Sequence, residues 1–290
     1  MTGGKRRILI AGCGDVGCRL GHRLVAVGHD VWGLRRNPVD LPEGLEPLVA
    51  DLARPETLTA LPPRLDAVVY TAAADRRSDD AYRRAYVDGV ENLLTALEGQ
   101  KPPPGRILFT SSTAVYCQTG GEWVDEDSVT RPSGYSGRRV LEGEERFRRG
   151  RIPAVVLRLG GIYGPGRIRL LERVASGEAV CPEGPPVYTN RIHSDDAAGA
   201  LFHLLELNAP DSVYVGVDHE PADLCQVLRF LARRLGVDPP RSVPGAESER
   251  RGGSKRCSSR RLRESGYRFV YPSYREGYEA LIRRLAASGG

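Results

Sequence analysis

Four stretches of this chain bring together residue types that can do chemistry. The first is Gly12-Cys13-Gly14-Asp15-Val16-Gly17, a turn with GxGxxG spacing. The second, Phe109 to Tyr116, gathers the hydroxyls of Thr110, Ser111, Ser112 and Thr113. The third sets Tyr135 four residues before Arg139, with Glu142 beyond. The fourth runs from Arg158 to Arg167 and includes Gly160, Gly161, Tyr163, Gly164, Pro165 and Gly166. Glycines spaced as in the first stretch suit a pyrophosphate. Gly12 permits a tight turn, Gly14 lets backbone approach the phosphates without a Cβ, and Gly17 lets the next helix pack closely on the strand. The start of that helix then points unpaired N–H groups at the anion. A plain tight turn between strand and helix would share these glycines, so the flanking elements decide.

Those flanks are right. Ile8-Leu9-Ile10-Ala11 predicts a buried strand, and Leu20, Leu24, Val25 and Val27 recur at helical spacing up to Gly28. A second strand over 30–34 ends in Arg35-Arg36. An acidic residue near this point bonds the ribose 2′-hydroxyl of NAD, whereas arginine suits the 2′-phosphate of NADP. Two guanidiniums can pair with that phosphate and stack on adenine. NADP is therefore the expected cofactor, with NAD possible and a solvated basic turn as the structural alternative. A third strand within 44–52 ends at Asp51-Leu52, where the carboxylate would bond the adenine amino group or cap a helix starting near Pro55. The apolar run 66–71 predicts a fourth strand, followed by Ala72, Ala73 and Ala74. Such small residues leave room for cofactor at a strand's carboxyl end or pack against the next helix.

A helix over 79–98, a strand over 106–110, a helix over 132–149 and a strand over 154–158 continue the rhythm. Alternating strands and helices define an α/β protein, a Rossmann-type doubly wound parallel sheet. Past Gly164 the alternation loosens. Helices are expected over 194–207, 222–235 and 273–287, a strand over 213–216, and a mobile polar loop over 239–259. The expected division is a dinucleotide-binding domain over 1–163, with 191–217 returning to it. Residues 164–190 and 218–290 then form a smaller C-terminal substrate lobe.

Composition narrows the class further. The 290 residues are 40% hydrophobic and 27% charged, ordinary for a soluble enzyme-sized chain. No apolar run reaches transmembrane length and the N-terminus lacks a signal-peptide core, so a cytoplasmic protein without a membrane partner is expected. The six cysteines are scattered without a CxxC pair, which predicts free thiols and no metal site. Of 42 basic residues only Lys5, Lys101 and Lys255 are lysine. That bias reads as genome composition and weakens any nucleic-acid reading of the arginine-rich stretch 249–263, which lacks interleaved aromatics before Tyr267.

Taken in order, the GxGxxG turn, Ser111-Ser112 followed by Val115-Tyr116, Tyr135 ahead of Arg139, Arg158-Leu159 leading to Ile162-Tyr163-Gly164-Pro165-Gly166-Arg167, and Asn190-Arg191-Ile192-His193-Ser194-Asp195-Asp196 resemble the extended short-chain dehydrogenase/reductases. The likeness is to the NAD-dependent epimerase/dehydratase branch and spans nearly the whole chain. It is nearest to atypical members with the short GxGxxG turn, described as nucleoside-diphosphate-sugar epimerase-like. The resemblance implies that Ser112 bonds the substrate oxygen and that Tyr135 is the acid/base group. It also implies a small-molecule substrate, plausibly a nucleotide-sugar, with Thr113, Arg167 and His193 near it and Arg167 on a diphosphate. A homodimer formed through the helices that include the Tyr135 segment is implied as well. The family's lysine, which lowers the tyrosine pKa and bonds the nicotinamide ribose, is replaced by Arg139. Tyr86-Val87-Asp88-Gly89 likewise departs from the family's Asn-x-x-Gly. These departures support an alternative, a non-catalytic NADP(H)-binding sensor or scaffold.

Overall fold

The apolar run that opens the chain becomes its central strand because parallel strands covered on both faces need apolar residues at every position. In the computed structural model, which describes residues 4–37, 41–244 and 253–288, β1 (Arg7–Ala11) has Ile8, Leu9, Ile10 and Ala11 fully buried. It turns at Gly12 into α1 (Asp15–Ala26), whose buried side carries Val16, Leu20 and Leu24. β2 (Asp30–Arg35), β3 (Leu45–Val49) and β4 (Ala67–Tyr70) follow, with a 3₁₀ turn at Pro55–Ala60. The helix expected over 79–98 is continuous but not uniform. It runs as α2 (Asp79–Arg83), a π-helical stretch at Arg84–Asp88 and α3 (Gly89–Glu98). The Tyr70 hydroxyl donates to the Ala85 carbonyl inside the widened turn, the kind of insertion that accompanies such bulges.

β5 (Arg106–Ser112) extends two residues further than the apolar pattern predicts and takes Ser111 and Ser112 into the strand. After β6 (Gly120–Val124), α4 (Tyr135–Arg149) starts three residues later than expected, with Gly134 as its extended N-cap. β7 (Ala154–Leu159) closes this part of the alternation. The looser region contains β8 (Gly161–Tyr163), α5 (Arg169–Ala175), β9 (Val180–Pro182), β10 (Tyr188–Thr189), β11 (Arg191–His193) and α6 (Ser194–Glu206). It ends with β12 (Val213–Gly216), β13 (Ala222–Asp223), α7 (Leu224–Leu235), β14 (Arg241–Val243), β15 (Ser254–Cys257), α8 (Arg260–Glu264) and α9 (Tyr274–Ser288). Polar two- and three-residue strands lack the apolar run that signals a buried strand, so sequence periodicity missed them. The stretch expected as a loop over 239–259 contains β14 and β15, while residues 245–252 lie outside the described residues.

Seven strands form one parallel sheet in the order β12-β7-β5-β4-β1-β2-β3. The order reverses between β1 and β4, whose register pairs Ile8 with Ala67 and Ala11 with Tyr70. Ligands of open α/β sheets bind at the carboxyl ends of the strands at such a reversal. Two compact units are defined by the described residues of Met1–Val115, Thr130–Arg158 and Ala198–Tyr214, and by those of Tyr116–Val129, Leu159–Ala197 and Val215–Gly290. The first unit packs Leu9, Val68, Tyr70, Val90, Phe109 and Phe147 into a core beneath one sheet face. The second has its own core, where α5, α7 and α9 enclose Tyr163, Leu171, Leu228, Phe230 and Tyr274. Segment 116–129 belongs to this second unit because β6 pairs in parallel with β15. Among the described residues, no helix is long and apolar enough to cross a membrane.

Candidate functional site

The glycine turn lies at the sheet reversal, in the first unit. Gly12 has φ +84°, and a Cβ there would come within 2.3 Å of the Ala72 Cα. Glycine is thus required twice, by conformation and by space. The Gly12 and Cys13 N–H groups both donate to the Leu34 carbonyl at 2.9 Å, and Thr71 Oγ1 donates to the Gly12 carbonyl at 2.9 Å. Gly17 would place a Cβ 2.9 Å from Thr71 Oγ1 and 3.0 Å from Ile10 Cγ2, so its bare Cα allows α1 to press against the strands. Gly14 is different. It is exposed, and a Cβ would meet nothing closer than the Gly12 carbonyl at 3.9 Å. Neither the fold's packing nor a positive φ demands glycine there, whereas an approaching pyrophosphate would. The turn therefore fits the group that its spacing predicts, with Val16 buried behind it and Asp15 paired to Arg19 at 2.8 Å.

Around the turn stand the other residues expected to hold cofactor. Arg35 ends β2, and exposed Arg36 reaches Asp75 at 3.2 Å, which holds that carboxyl below its usual range. Ala72 touches Gly12, and Ala73 follows it into solvent. Asp51 does not cap the 3₁₀ turn, whose N-cap is Arg54; its Oδ1 accepts from the Ala53 N–H at 3.0 Å in a local turn, and its backbone exchanges hydrogen bonds with Thr57. Leu52 is buried, and its carbonyl accepts from Asn92 Nδ2 at 2.9 Å.

The hydroxyl and phenol stretches meet at the carboxyl end of β5. Ser112 is the last residue of β5, its Oγ accepting from the Ala114 N–H at 3.1 Å, and Thr113 starts the next turn. Tyr135 is the first residue of α4 and stands edge-on to Tyr82 at 5.6 Å. The first turn of α4 sits directly on the turn after Ser112, since a Cβ on Gly137 would lie 2.3 Å from the Ala114 carbonyl oxygen. One turn further on, Arg139 holds both oxygens of Asp79 at 2.8 and 3.0 Å and also donates to Glu142 at 3.0 Å. These carboxylates raise the guanidinium's pKa above its ordinary value.

A buried network that the sequence analysis missed fixes this corner. Glu144 is 1% exposed and Arg158 3%. Arg158 Nη2 donates to Glu144 Oε2 at 2.8 Å and its Nε to Oε1 at 3.1 Å, while the Ser111 hydroxyl donates to the same carboxylate. The three residues tie together β5, α4 and β7 beside Ser112. The signal lay in α4, where Val140, Gly143, Glu144 and Phe147 share one buried stripe. A carboxylate inside such a stripe demands a charged partner.

In the second unit, Arg167 is exposed on a turn closed by its N–H on the Gly164 carbonyl at 2.9 Å. His193 is 3% exposed, with Tyr271 at 4.1 Å and Tyr163 at 5.3 Å between ring centroids, and its Nδ1 accepts from the Asp195 N–H at 3.2 Å. That enclosure makes His193 part of the packing of its own unit. Asp196, expected only to begin a helix, binds the Tyr267 hydroxyl at 2.8 Å and the N–H groups of Val270 and Tyr271 at 2.8 and 2.9 Å.

With this geometry in place, the class is clear. The family model for the NAD-dependent epimerase/dehydratase family matches residues 8–216, and the chain belongs to that family. In particular, it is similar to a 3-diazoavenalumate denitrifying reductase from a Streptomyces species, 32% identical over 303 residues that cover 93% of this chain and 98% of the reductase. It is also similar to the solved structure of a Methylobacillus flagellatus protein assigned to the NAD-dependent epimerase/dehydratases. There the identity is 38%, the coverage 98% and 100% of the two chains, and the TM-score 0.81. A UDP-glucose 4-epimerase from Thermotoga maritima, solved with UDP-glucose, shares the fold at a TM-score of 0.81 with 18% identity over 98% of this chain and all of that one.

Proposed function

We propose that the protein is an NADP(H)-dependent oxidoreductase or epimerase/dehydratase acting on a hydroxyl or carbonyl group, with Tyr135 as acid/base and Ser112 bonding the substrate oxygen. The observation that carries this reading is the close packing of Gly137 on Ala114, which holds the start of α4 beside the turn that follows Ser112. Gly14 supports the cofactor half, because open space over a glycine at a helix start is what a pyrophosphate needs. When bound, the nicotinamide supplies the hydride donor or acceptor. The chain supplies the proton: the Tyr135 phenol gives it to, or takes it from, the substrate oxygen that Ser112 holds. Thr113 lies beside that oxygen, and Arg167 offers a guanidinium to a diphosphate. The fold shared with a UDP-glucose 4-epimerase supports a nucleotide-sugar substrate, and the likeness to the denitrifying reductase supports a reductive reaction. The arginines at the end of β2 favour NADP over NAD.

One observation favours a second reading, dinucleotide binding without catalysis. Arg139, standing where the family has its lysine, is engaged by Asp79 and Glu142.

The deciding experiment follows NADPH consumption with a panel of carbonyl compounds that includes nucleotide-keto-sugars. Tyr135→Phe is expected to slow turnover by about 10²- to 10⁴-fold while NADPH affinity stays unchanged. Equal turnover in variant and wild type would reject the role of Tyr135. Replacing Arg35 and Arg36 together by alanine is expected to weaken NADPH far more than NADH, and equal loss would reject the NADP preference.

A further inference from the structure

The glycine turn carries two thiols in reach of each other. Cys13 lies between Gly12 and Gly14, fully buried beneath the turn. Cys18 is in the first turn of α1, half-buried, with its N–H on the Gly14 carbonyl at 2.7 Å. Their sulfurs are 3.8 Å apart, and Cys18 Sγ also approaches the Cys13 carbonyl at 3.6 Å. Spacing of five residues hid the pair from a search for CxxC, since the turn and the helix start fold it back on itself. Cys181 and Cys225 also neighbour each other, but both are buried. Only the Cys13–Cys18 pair joins a buried sulfur to a half-exposed one at the candidate cofactor site.

We propose that Cys13 and Cys18 form a peroxide-oxidisable dithiol whose disulfide closes the glycine turn to a dinucleotide. The proposal rests on the reading that this turn holds the cofactor pyrophosphate. Cys18 is suited to react first. Its thiol pKa is lowered to about 7, above all by the hydrogen bond from Cys13 and further by Arg35 and Arg19, against burial and Asp15. Thiolate character and access together make a cysteine reactive. Its sulfur attacks one oxygen of hydrogen peroxide, so an S–O bond forms, the O–O bond breaks, and the departing hydroxide takes a proton to become water. The Cys13 sulfur then attacks the sulfenic sulfur of Cys18. The S–S bond forms, the S–O bond breaks, and the second hydroxide leaves as water with the Cys13 proton. Two thiols are oxidised by two electrons in total, and one peroxide is reduced to two waters.

The closure must move the turn. A disulfide needs its sulfurs about 2 Å apart, much closer than the 3.8 Å seen between the free thiols. Cys13 cannot supply the movement by swinging freely. It is fully buried, and its N–H is bound to the Leu34 carbonyl at 2.9 Å. Drawing it toward α1 shifts Gly12 and Gly14, the backbone that would meet the phosphates. Binding linkage makes the effect reciprocal: if the disulfide weakens the dinucleotide, bound dinucleotide opposes the disulfide by the same factor.

Both cysteines fall in one tryptic peptide, 8–19, bounded by Arg7 and Arg19. The full-length protein is treated with hydrogen peroxide, alkylated and digested, and NADPH affinity is measured before oxidation, after it and after a dithiol reductant. The expected result is a peptide that has lost two hydrogens and resists alkylation until reduced. NADPH affinity should fall on the order of tenfold on oxidation and recover on reduction. Cys18→Ser should keep its affinity through peroxide treatment, and excess NADPH should slow disulfide formation in the wild type. The proposal is overturned if both thiols of peptide 8–19 stay open to alkylation, or if the oxidised protein binds NADPH as tightly as the reduced one. Failure of the reduced protein to bind either dinucleotide would instead remove the cofactor reading and the coupling with it, while the peptide map still decides the disulfide.

Discussion

Arg139 holds Asp79 through both carboxylate oxygens, at 2.8 and 3.0 Å, from the position that the resemblance assigns to the family's lysine. The pair is partly exposed, 27% for Arg139 and 51% for Asp79, and ion pairs open to solvent contribute little to stability. Arg139→Lys should therefore leave the unfolding midpoint close to that of the wild type. Because the charge is kept, its effect on turnover reads how the shape and placement of the cation serve Tyr135. A catalytic role for the cation predicts a changed pH profile of turnover, with NADPH affinity moving far less. An unchanged profile would leave Arg139 as a surface ion pair.

Gly12 and Gly14 separate the demands of the fold from those of the ligand. Gly12→Ala puts a methyl against Ala72 at a positive φ and should cost at least about 1–3 kcal/mol, measured by urea denaturation. Gly14→Ala places its Cβ no closer than 3.9 Å to any packed atom. It should fold nearly as well as the wild type and lose NADPH binding in a fluorescence titration. Undiminished binding would take the turn out of the cofactor site.

The Glu144–Arg158 pair should prove essential to the first unit. Glu144→Ala removes the carboxylate from a buried ion pair and should cost about 3–5 kcal/mol in chemical denaturation. Changing both residues to methionine should recover a good part of that loss, because it takes the buried guanidinium away together with its carboxylate. A single variant as stable as the wild type would mean that the corner relaxes freely.

Asp218, in the second unit, predicts a pH dependence. Burial pushes its carboxyl up to about 8, against the pull of Arg191, while Glu220 and Glu276 add repulsion. Tyr163 faces it, and this charge contributes to the raised pKa of the Tyr163 phenol. The folded state thus holds a proton that the unfolded chain releases near its ordinary value of 3.8. The associated stability is complete below about pH 4 and is lost as pH rises toward about pH 8. Asp218→Asn should therefore gain on the wild type across that window in paired thermal melts. Parallel curves would show that the site opens to water instead.

The outline of the first unit was legible because its signals are local. A continuous apolar run marks a doubly covered strand, and the glycines of the turn answer a steric demand made within a few residues. The Arg35-Arg36 end of β2 was readable in the same way. The second unit was harder to read. Its strands are two to four residues long and pair with partners far along the chain, as β6 does with β15, so neither period nor composition announces them. His193 looked like a ligand-facing residue in sequence and lies buried among aromatic rings.

The sequence by itself determined which elements form around β1 and that the turn after it is built of glycines, since backbone sterics and burial act residue by residue. Only the tertiary structure decided which charges and sulfurs become neighbours. Glu144 with Arg158, Arg139 with Asp79 and Cys13 with Cys18 meet because the sheet order, a helix docking and a tight turn bring them together, and distance in space, which sets every Coulombic and redox coupling, is not written in their spacing along the chain.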